Sequence, residues 1–316
     1  MKDLIFMSVQ PDVPYFHWQV EVMITNFTKL GINPNNIEVI YALEKGKGIS
    51  NGGRLLTQKY PFVRFFFYDK TVENNHGYIP ILRLDCLEQH FIKYNEGLKD
   101  KNIFYHDSDI IFRKLPDFDS LLKDNVWYLS DTVSYIGYDY IVSKSFDLLE
   151  KMCEIVNIST ETVEANQSNS GGAQYLIKGV DHVFWHKVKE DCLELYKFMT
   201  EREKEERKTL SNAEANKYNP IQKWCSDMWA VLWNAWYFGK NTKLSDELSF
   251  SWATSRIEEY EKHNIFHNAG VTGDRSKELF YKGNFINQTP FEADLSFVSD
   301  KFASIKYVEA IKSVKI

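Results

Sequence analysis

Two aspartates spaced one residue apart, Asp107 and Asp109, interrupt the apolar run NIFYHDSDIIF at residues 102–112. In a strand, successive side chains alternate faces, so both carboxylates point the same way with their Cα atoms about 7 Å apart. Ile103, Tyr105 and Ile111 share that face, while Phe104, His106, Ser108, Ile110 and Phe112 take the other. Two uncompensated carboxylates on a half-buried face are costly, because desolvation and mutual repulsion both oppose ionisation. A divalent cation, or a set of hydrogen-bond donors at the strand end, removes the cost. On this reading Asp109→Asn leaves the metal-free fold intact and slightly stabilised, since it relieves repulsion. The plain alternative is an Asp-Ser-Asp turn joining two short strands.

Other residues carry chemistry with less force. Asp227 sits among tryptophans in QKWCSDMWAVLWNAW. Trp224, Met228, Val231 and Leu232 make an ordinary core stripe there, but an acid beside them needs a partner or a task. Asp131 in YLSDT reads equally as a site residue or as the turn at a strand end. The cluster GKGISNGG has neither G-x-G-x-x-G nor G-x-x-x-x-G-K-[ST] spacing, so it reads as a flexible loop. DSDII also fits the D-x-D of aspartyl-phosphate phosphatases. Their nucleophile follows the first strand, whereas strand–helix units precede the pair here.

The elements that must position these groups alternate. Leu4–Val9 reads as a strand, PYFHWQVEVMITNFTKLG as a helix, IEVIYAL and VRFFFYD as strands, and IPILRLDCLEQHFIKY as a helix leading to the acid strand. Such alternation implies an α/β fold with a mainly parallel sheet flanked by helices, whose ligands sit beyond the carboxyl ends of the strands. Ser8, Gln10 and Asp12 close the first strand, so they share a rim with the acid pair. VWYLSDT and AQYLIKGV read as strands, SFDLLEKMCEIV as a helix, and NISTETVEANQSNSGG as a surface loop. DHVFWHKVKEDCLELYKFM is a helix that EREKEERK extends as a solvated face. NPIQKWCSDMWAVLWNAWYFGK is expected to be helical from just inside Pro220, and HNIFHNAGVTGDRSKELFYKGNF to be a ligand-covering loop. DKFASIKYVEAIKSVK is a terminal amphipathic helix. The C-terminal half is thus more irregular and helical. One continuous domain is expected, divided in function into residues 1–135 and 136–316.

The 316 residues, 44% hydrophobic and 15% aromatic, suffice for a large core. A net charge of −6 disfavours a polyanionic partner for the molecule as a whole. Cys86, Cys153, Cys192 and Cys225 lie far apart, which reads as free thiols in a reducing compartment. MKDLIFMSVQPDVP is too short in its apolar part for a signal segment, and no run approaches a membrane span. A soluble, cytoplasmic protein without membrane contact is expected.

The order of these pieces resembles the GT-A glycosyltransferases, nucleotide-sugar enzymes with a DxD strand. SVQPD is similar to the segment where such enzymes hold the nucleotide base, and IPILRLD supplies Arg83 where a basic residue meets donor phosphate or sugar. YHDSDIIF looks like the DxD strand, while NSGGAQYLI and IFHNAG look like the sugar-pocket segment and the late histidine. Within the class the chain is most similar to hydroxyproline arabinosyltransferases and peptidyl-serine galactosyltransferases, and SVQPDVPYFHWQ also looks like phage-encoded sugar transferases. The resemblance implies transfer of a hexose or pentose from a nucleotide-sugar, expected to be a UDP-sugar, to a hydroxyl acceptor, with retention of configuration. It implies Mn2+ (or Mg2+) at the leaving diphosphate. Asp109 would be a metal ligand, Asp107 would bridge metal and ribose, and His267 would be a third ligand, its imidazole suiting Mn2+. By itself His267 is equally a surface histidine. Ser8, Gln10, Asp12 and Gly172 would contact the donor. Arg83 and Lys282 would add positive charge at the leaving group, Lys282 being otherwise a solvated side chain. Gln174 and Asn169 would hydrogen-bond the sugar, and Asp227 would either act as general base or hold a donor-sugar hydroxyl. The acceptor stays open between a protein hydroxyl, a glycan and, for a phage protein in its host cytoplasm, a modified DNA base. A non-catalytic nucleotide-sugar or glycan-binding protein of the same fold is the rival reading.

Overall fold

The apolar run near the chain start builds the centre of the molecule. The computed structural model describes residues 4–73, 77–215 and 217–315. In it β1 (Leu4–Pro11) is buried at every residue but the last, and β2 (Ile37–Leu43), its parallel neighbour, is buried throughout. Strands covered on both faces have no solvent side, which is why both read as continuous apolar runs. β3 (Arg64–Asp69), β4 (Asn102–His106), β5 (Ile110–Phe112), β6 (Trp127–Asp131), β7 (Gly171–Lys178), β8 (Thr242–Leu244), β9 (Phe250–Trp252) and β10 (Ile265–His267) follow. The main sheet has the order β3-β2-β1-β4-β7-β6-β8, parallel except for β7, which runs against β4 and β6. A second sheet, β5-β10-β9, flanks it.

Helices cover both faces, as the alternation implies. α1 (Pro14–Lys29) and α2 (Asn51–Lys59) bury Val20, Phe27 and Leu56 against Phe6, Val39, Phe104 and Leu176. On the other face lie α3 (Ile81–Leu98), α4 (Phe146–Val156), α5 (His182–Thr209) and α6 (Ser226–Tyr237). They pack Leu84, Met152, Val188 and Trp229 onto Met7 and Ile40. α7 (Ser304–Lys312) closes a third cluster in which Tyr307 meets Trp18, Ile111, Phe266 and Phe280. Trp18 donates its indole N–H to the Phe285 carbonyl at 3.0 Å, which ties the segment carrying Lys282 to α1.

The structure departs from the sequence expectations in local places. The acid run is not one strand: β4 ends at His106, Asp107–Asp109 turn, and β5 enters the second sheet. The chain leaves the main sheet where its carboxylates find cations instead of an apolar layer. The glycine cluster is a loop only up to Ser50, whose hydroxyl accepts the Gly53 N–H at 3.0 Å and so caps α2. A Cβ on Gly52 would lie 2.2 Å from His17 Nδ1, so close helix packing accounts for that glycine. The expected loop after Asn157 contains short helices at Thr160–Ala165 and Gln167–Asn169. The tryptophan-rich helix starts at Ser226 rather than just inside Pro220, after a turn of 3-10 helix at Lys223–Cys225. All four cysteines are buried and unpaired, and no helix among the described residues is long and apolar enough to cross a membrane.

Candidate active site

The Asp107–Asp109 turn lies at the carboxyl end of β4, and pairing in the second sheet brings a histidine to it. β10 runs antiparallel to β5 with His267 opposite Ile110, and the Asn268 N–H donates to the Asp109 carbonyl at 3.0 Å. This seats His267 Nε2 3.4 Å from Asp107 Oδ2 and 3.3 Å from Asp109 Oδ1. One ligand atom from each of the three residues lies within 4.8 Å of the others. Cis ligands of an octahedral ion with bonds of about 2.1 Å stand about 3 Å apart, so two carboxylates and an imidazole at these spacings fit Mn2+ or Mg2+. Trp252 stacks on the imidazole with ring centroids 5.7 Å apart and an interplanar angle of 17°.

Two cations and a third acid complete the cluster. Arg83, in the first turn of α3, bridges two carboxylates: Nη1 pairs with Asp107 Oδ1 and Nη2 with Asp227 Oδ2. Its guanidinium also lies over the Tyr105 ring at 5.9 Å. Asp227, in the first turn of α6, donates its backbone N–H to the Tyr78 hydroxyl at 2.9 Å, and that hydroxyl lies 3.2 Å from Asp227 Oδ1. Lys282 pairs with Asp109 Oδ2. Asp109, Asp227 and His267 are nearly closed off, whereas the Asp107 side chain keeps 28% exposure and faces the opening.

A bulge aims Gln174 into this group. The β6–β7 register shifts between Leu129 and Ser130, and Ala173 takes φ 65°, a left-handed conformation that non-glycine residues rarely hold. Gln174 is fully buried as a result. Its Oε1 accepts from Ser130 Oγ at 2.6 Å, and its Nε2 lies 3.4 Å from His267 Nδ1. Gly172 is placed for space: a Cβ there would come within 2.6 Å of Met228 Cε.

The electrostatics follow from these contacts. Burial raises the Asp107 pKa, but Arg83, then His267 and Lys282, hold it well below the carboxylate range. Burial is likewise overcome at Asp109, chiefly by Lys282 and His267. Burial would lower His267, yet Asp109 and Asp107 lift it to about 9, so without metal it is an imidazolium at neutral pH. His106, beside the pair, is driven down to about 4 by burial and is neutral. Three carboxylates (Asp107, Asp109, Asp227) therefore meet three cations (Arg83, Lys282, His267). The two uncompensated carboxylates of the sequence expectation are compensated, so Asp109→Asn strands cations instead of relieving repulsion.

The remaining expected residues divide. Ser8 is buried next to His106 in the parallel register of β1 and β4, and its hydroxyl has no partner among the described residues. Gln10 donates to the Ile40 carbonyl at 3.1 Å, and its Oε1 has no partner among the described residues. Asp12 is spent on local structure: it binds His17 Nε2, the Ser50 N–H and the Ser50 hydroxyl, each at 2.7 Å. Asn169 turns its amide to Asn166. Asp131 ends β6 and accepts the Val133 N–H at 3.0 Å. Sequence reasoning missed Tyr78, Ser130, Tyr175, Trp252 and Asn268. The Tyr105 and Tyr175 hydroxyls, Arg83 Nε and Asn268 Nδ2 are all buried without partners among the described residues. Idle buried polar atoms cost about 1–3 kcal/mol each, and their gathering here is what a polar ligand would answer.

No family model matches the chain, and no curated protein matches it. Solved structures do. The bifunctional glycosyltransferase WbbM aligns at 10% identity and TM-score 0.48 over 98% of this chain and 49% of its own, so the present chain spans about half of that protein. The galactosyltransferase LgtC, in complex with donor and acceptor sugar analogues, aligns at 12% identity and TM-score 0.43 over 99% and 96%. Mouse xyloside xylosyltransferase 1 aligns at 9% identity and TM-score 0.40, over 85% of this chain and 99% of its own.

Proposed function

We propose that the chain is a metal-dependent glycosyltransferase of GT-A type. It would transfer a hexose or pentose from a nucleotide-sugar, a UDP-sugar in our reading, to a hydroxyl acceptor with retention. The supporting observation is the convergence of Asp107, Asp109, His267, Arg83, Lys282, Asp227 and Gln174, from distant segments, at the carboxyl end of a parallel sheet. Asp107, Asp109 and His267 would hold Mn2+ or Mg2+, which when bound supplies Lewis-acid neutralisation of a leaving diphosphate. Once His267 gives up its proton to serve as ligand, three carboxylates face Arg83, Lys282 and a divalent ion, a surplus of one positive charge. Such a site suits a diphosphate. Arg83 and Lys282 orient the phosphates, and the idle Ser8 and Gln10 atoms at the end of β1 meet the nucleoside. Residues 1–135 then serve mainly the nucleotide, and residues 136–316 the sugar and acceptor, within one domain.

Arg83 pairs with one Asp227 oxygen and the Tyr78 hydroxyl stands 3.2 Å from the other, so the carboxylate is held within the fold. We therefore assign it to positioning a donor-sugar hydroxyl, with Gln174 alongside. The acceptor oxygen bonds to the anomeric carbon as the carbon–oxygen bond to phosphate breaks on the same face. The acceptor proton passes to the departing phosphate oxygen. The test is a panel of nucleotide-sugars assayed for Mn2+-dependent thermal stabilisation and hydrolysis. Binding without metal-dependent release of nucleotide would favour the non-catalytic protein instead.

A further inference from the structure

Against Trp252 lies a cavity of about 420 Å³, a size usual for small-ligand pockets. We propose that this cavity is the acceptor subsite and that the acceptor is a neutral glycan, an inference that rests on the glycosyltransferase reading above. The place is right for an acceptor: Trp252, one wall of the cavity, is the same indole that stacks on His267. Tyr135, a second wall, stands 6.3 Å from Trp252 with its ring tilted by 59°, and lies within electrostatic reach of Asp107 and Asp227. The Trp252 wall thus joins the cavity to His267, one of the candidate metal ligands.

The lining selects the chemistry. Three aromatic rings, Tyr135, Phe250 and Trp252, offer apolar surface to the C–H side of a pyranose, while Asp131, Ser134, Ser249 and His263 offer hydrogen-bonding groups to its hydroxyls. Asp131 accepts the Val133 N–H with Oδ1, and its side chain is exposed. Charge argues against the other acceptors. No lysine or arginine lines the cavity among the described residues, and Asp131 contributes a negative charge. A DNA acceptor brings phosphates that need cations, so a modified base is disfavoured at this site. A peptide would present backbone N–H and C=O groups in a row, which a cavity lined by scattered side chains does not pair.

The experiment is steady-state transfer with Mn2+ and the nucleotide-sugar that the wild type hydrolyses. Three acceptor sets are offered: the neutral disaccharides lactose, maltose and cellobiose; serine- and hydroxyproline-containing peptides; and duplex DNA carrying 5-hydroxymethylcytosine. A disaccharide should divert the sugar from water to product. Asp131→Asn and Tyr135→Ala should each raise its KM about tenfold, while the nucleotide-sugar KM moves less than twofold. Asp131→Asn keeps the side-chain oxygen that the Val133 N–H needs, so it stays informative if Tyr135→Ala misfolds. Diversion by peptide or DNA but by no disaccharide, or equal shifts in both KM values, would overturn the subsite alone. If the wild type hydrolyses no nucleotide-sugar, the glycosyltransferase reading falls, and the subsite with it.

Discussion

His267 makes the stability of the metal-free protein depend on pH in a direction opposite to that of a simply buried histidine. Burial lowers its pKa, but Asp109 and Asp107 more than reverse this and set it at about 9, against 6.5 for an unperturbed imidazole. The folded state therefore binds the proton more tightly than the unfolded chain. The resulting stabilisation is fully present below pH 6.5 and is lost as pH rises through 9. A displacement of this size corresponds to about 3 kcal/mol at 1.36 kcal/mol per pH unit. Urea denaturation in EDTA, compared between wild type and His267→Gln at pH 6 and pH 9.5, isolates the term from other titrating groups. The wild-type advantage should shrink by about 3 kcal/mol between the two conditions. Mg2+ should stabilise the wild type more near pH 9 than at pH 6, because below pH 9 a ligating imidazole must first lose its proton. A wild-type-minus-variant difference that stays constant, or grows with pH, would show that His267 does not share its proton with the acid pair.

Asp109→Asn should abolish metal-dependent transfer and lower apo stability by about 3 kcal/mol, since Lys282 loses its anion and the His267 imidazolium keeps only Asp107; a raised melting temperature in EDTA would restore the repulsion argument. Arg83→Lys should reduce kcat about 10²-fold, because an ammonium cannot span Asp107 and Asp227 together; kcat within threefold of wild type would remove Arg83 from the positioning of both acids. Ala173→Val should cost about 1–2 kcal/mol in a thermal melt, as a β-branched residue resists the left-handed bulge, and unchanged stability would mean that the bulge relaxes. Asp227→Asn should lose about 10²-fold in kcat through misplacement of the sugar. Proton NMR of freshly formed product should show the donor's anomeric configuration, and the opposite configuration would make Asp227 the general base.

The residues were legible where their type conflicts with their surroundings. β1, β2, α1 and α3 announce themselves by continuous or periodic apolar positions, and the acids of the DSD turn and Asp227 stand out because buried carboxylates are costly. What neutralises each acid was harder to read, since those contacts cross the fold. Arg83 reaches Asp227 over 144 positions, and Lys282 reaches Asp109 over 173. β5, β9 and β10 are three residues each, too short for periodicity, yet their pairing alone seats His267 over the turn. Ala173 gives no local sign of a positive φ, because the β6–β7 mismatch imposes it, and without that bulge Gln174 would not turn toward Ser130 and His267. Trp252 looks like any core aromatic until its stacking on His267 is seen. A turn and a metal site are also not alternatives at residues 107–109. A continuing strand would have carried both carboxylates into an apolar layer, whereas the turn leaves them at the sheet's end, where three cations can surround them. The turn is therefore the form that the site itself requires.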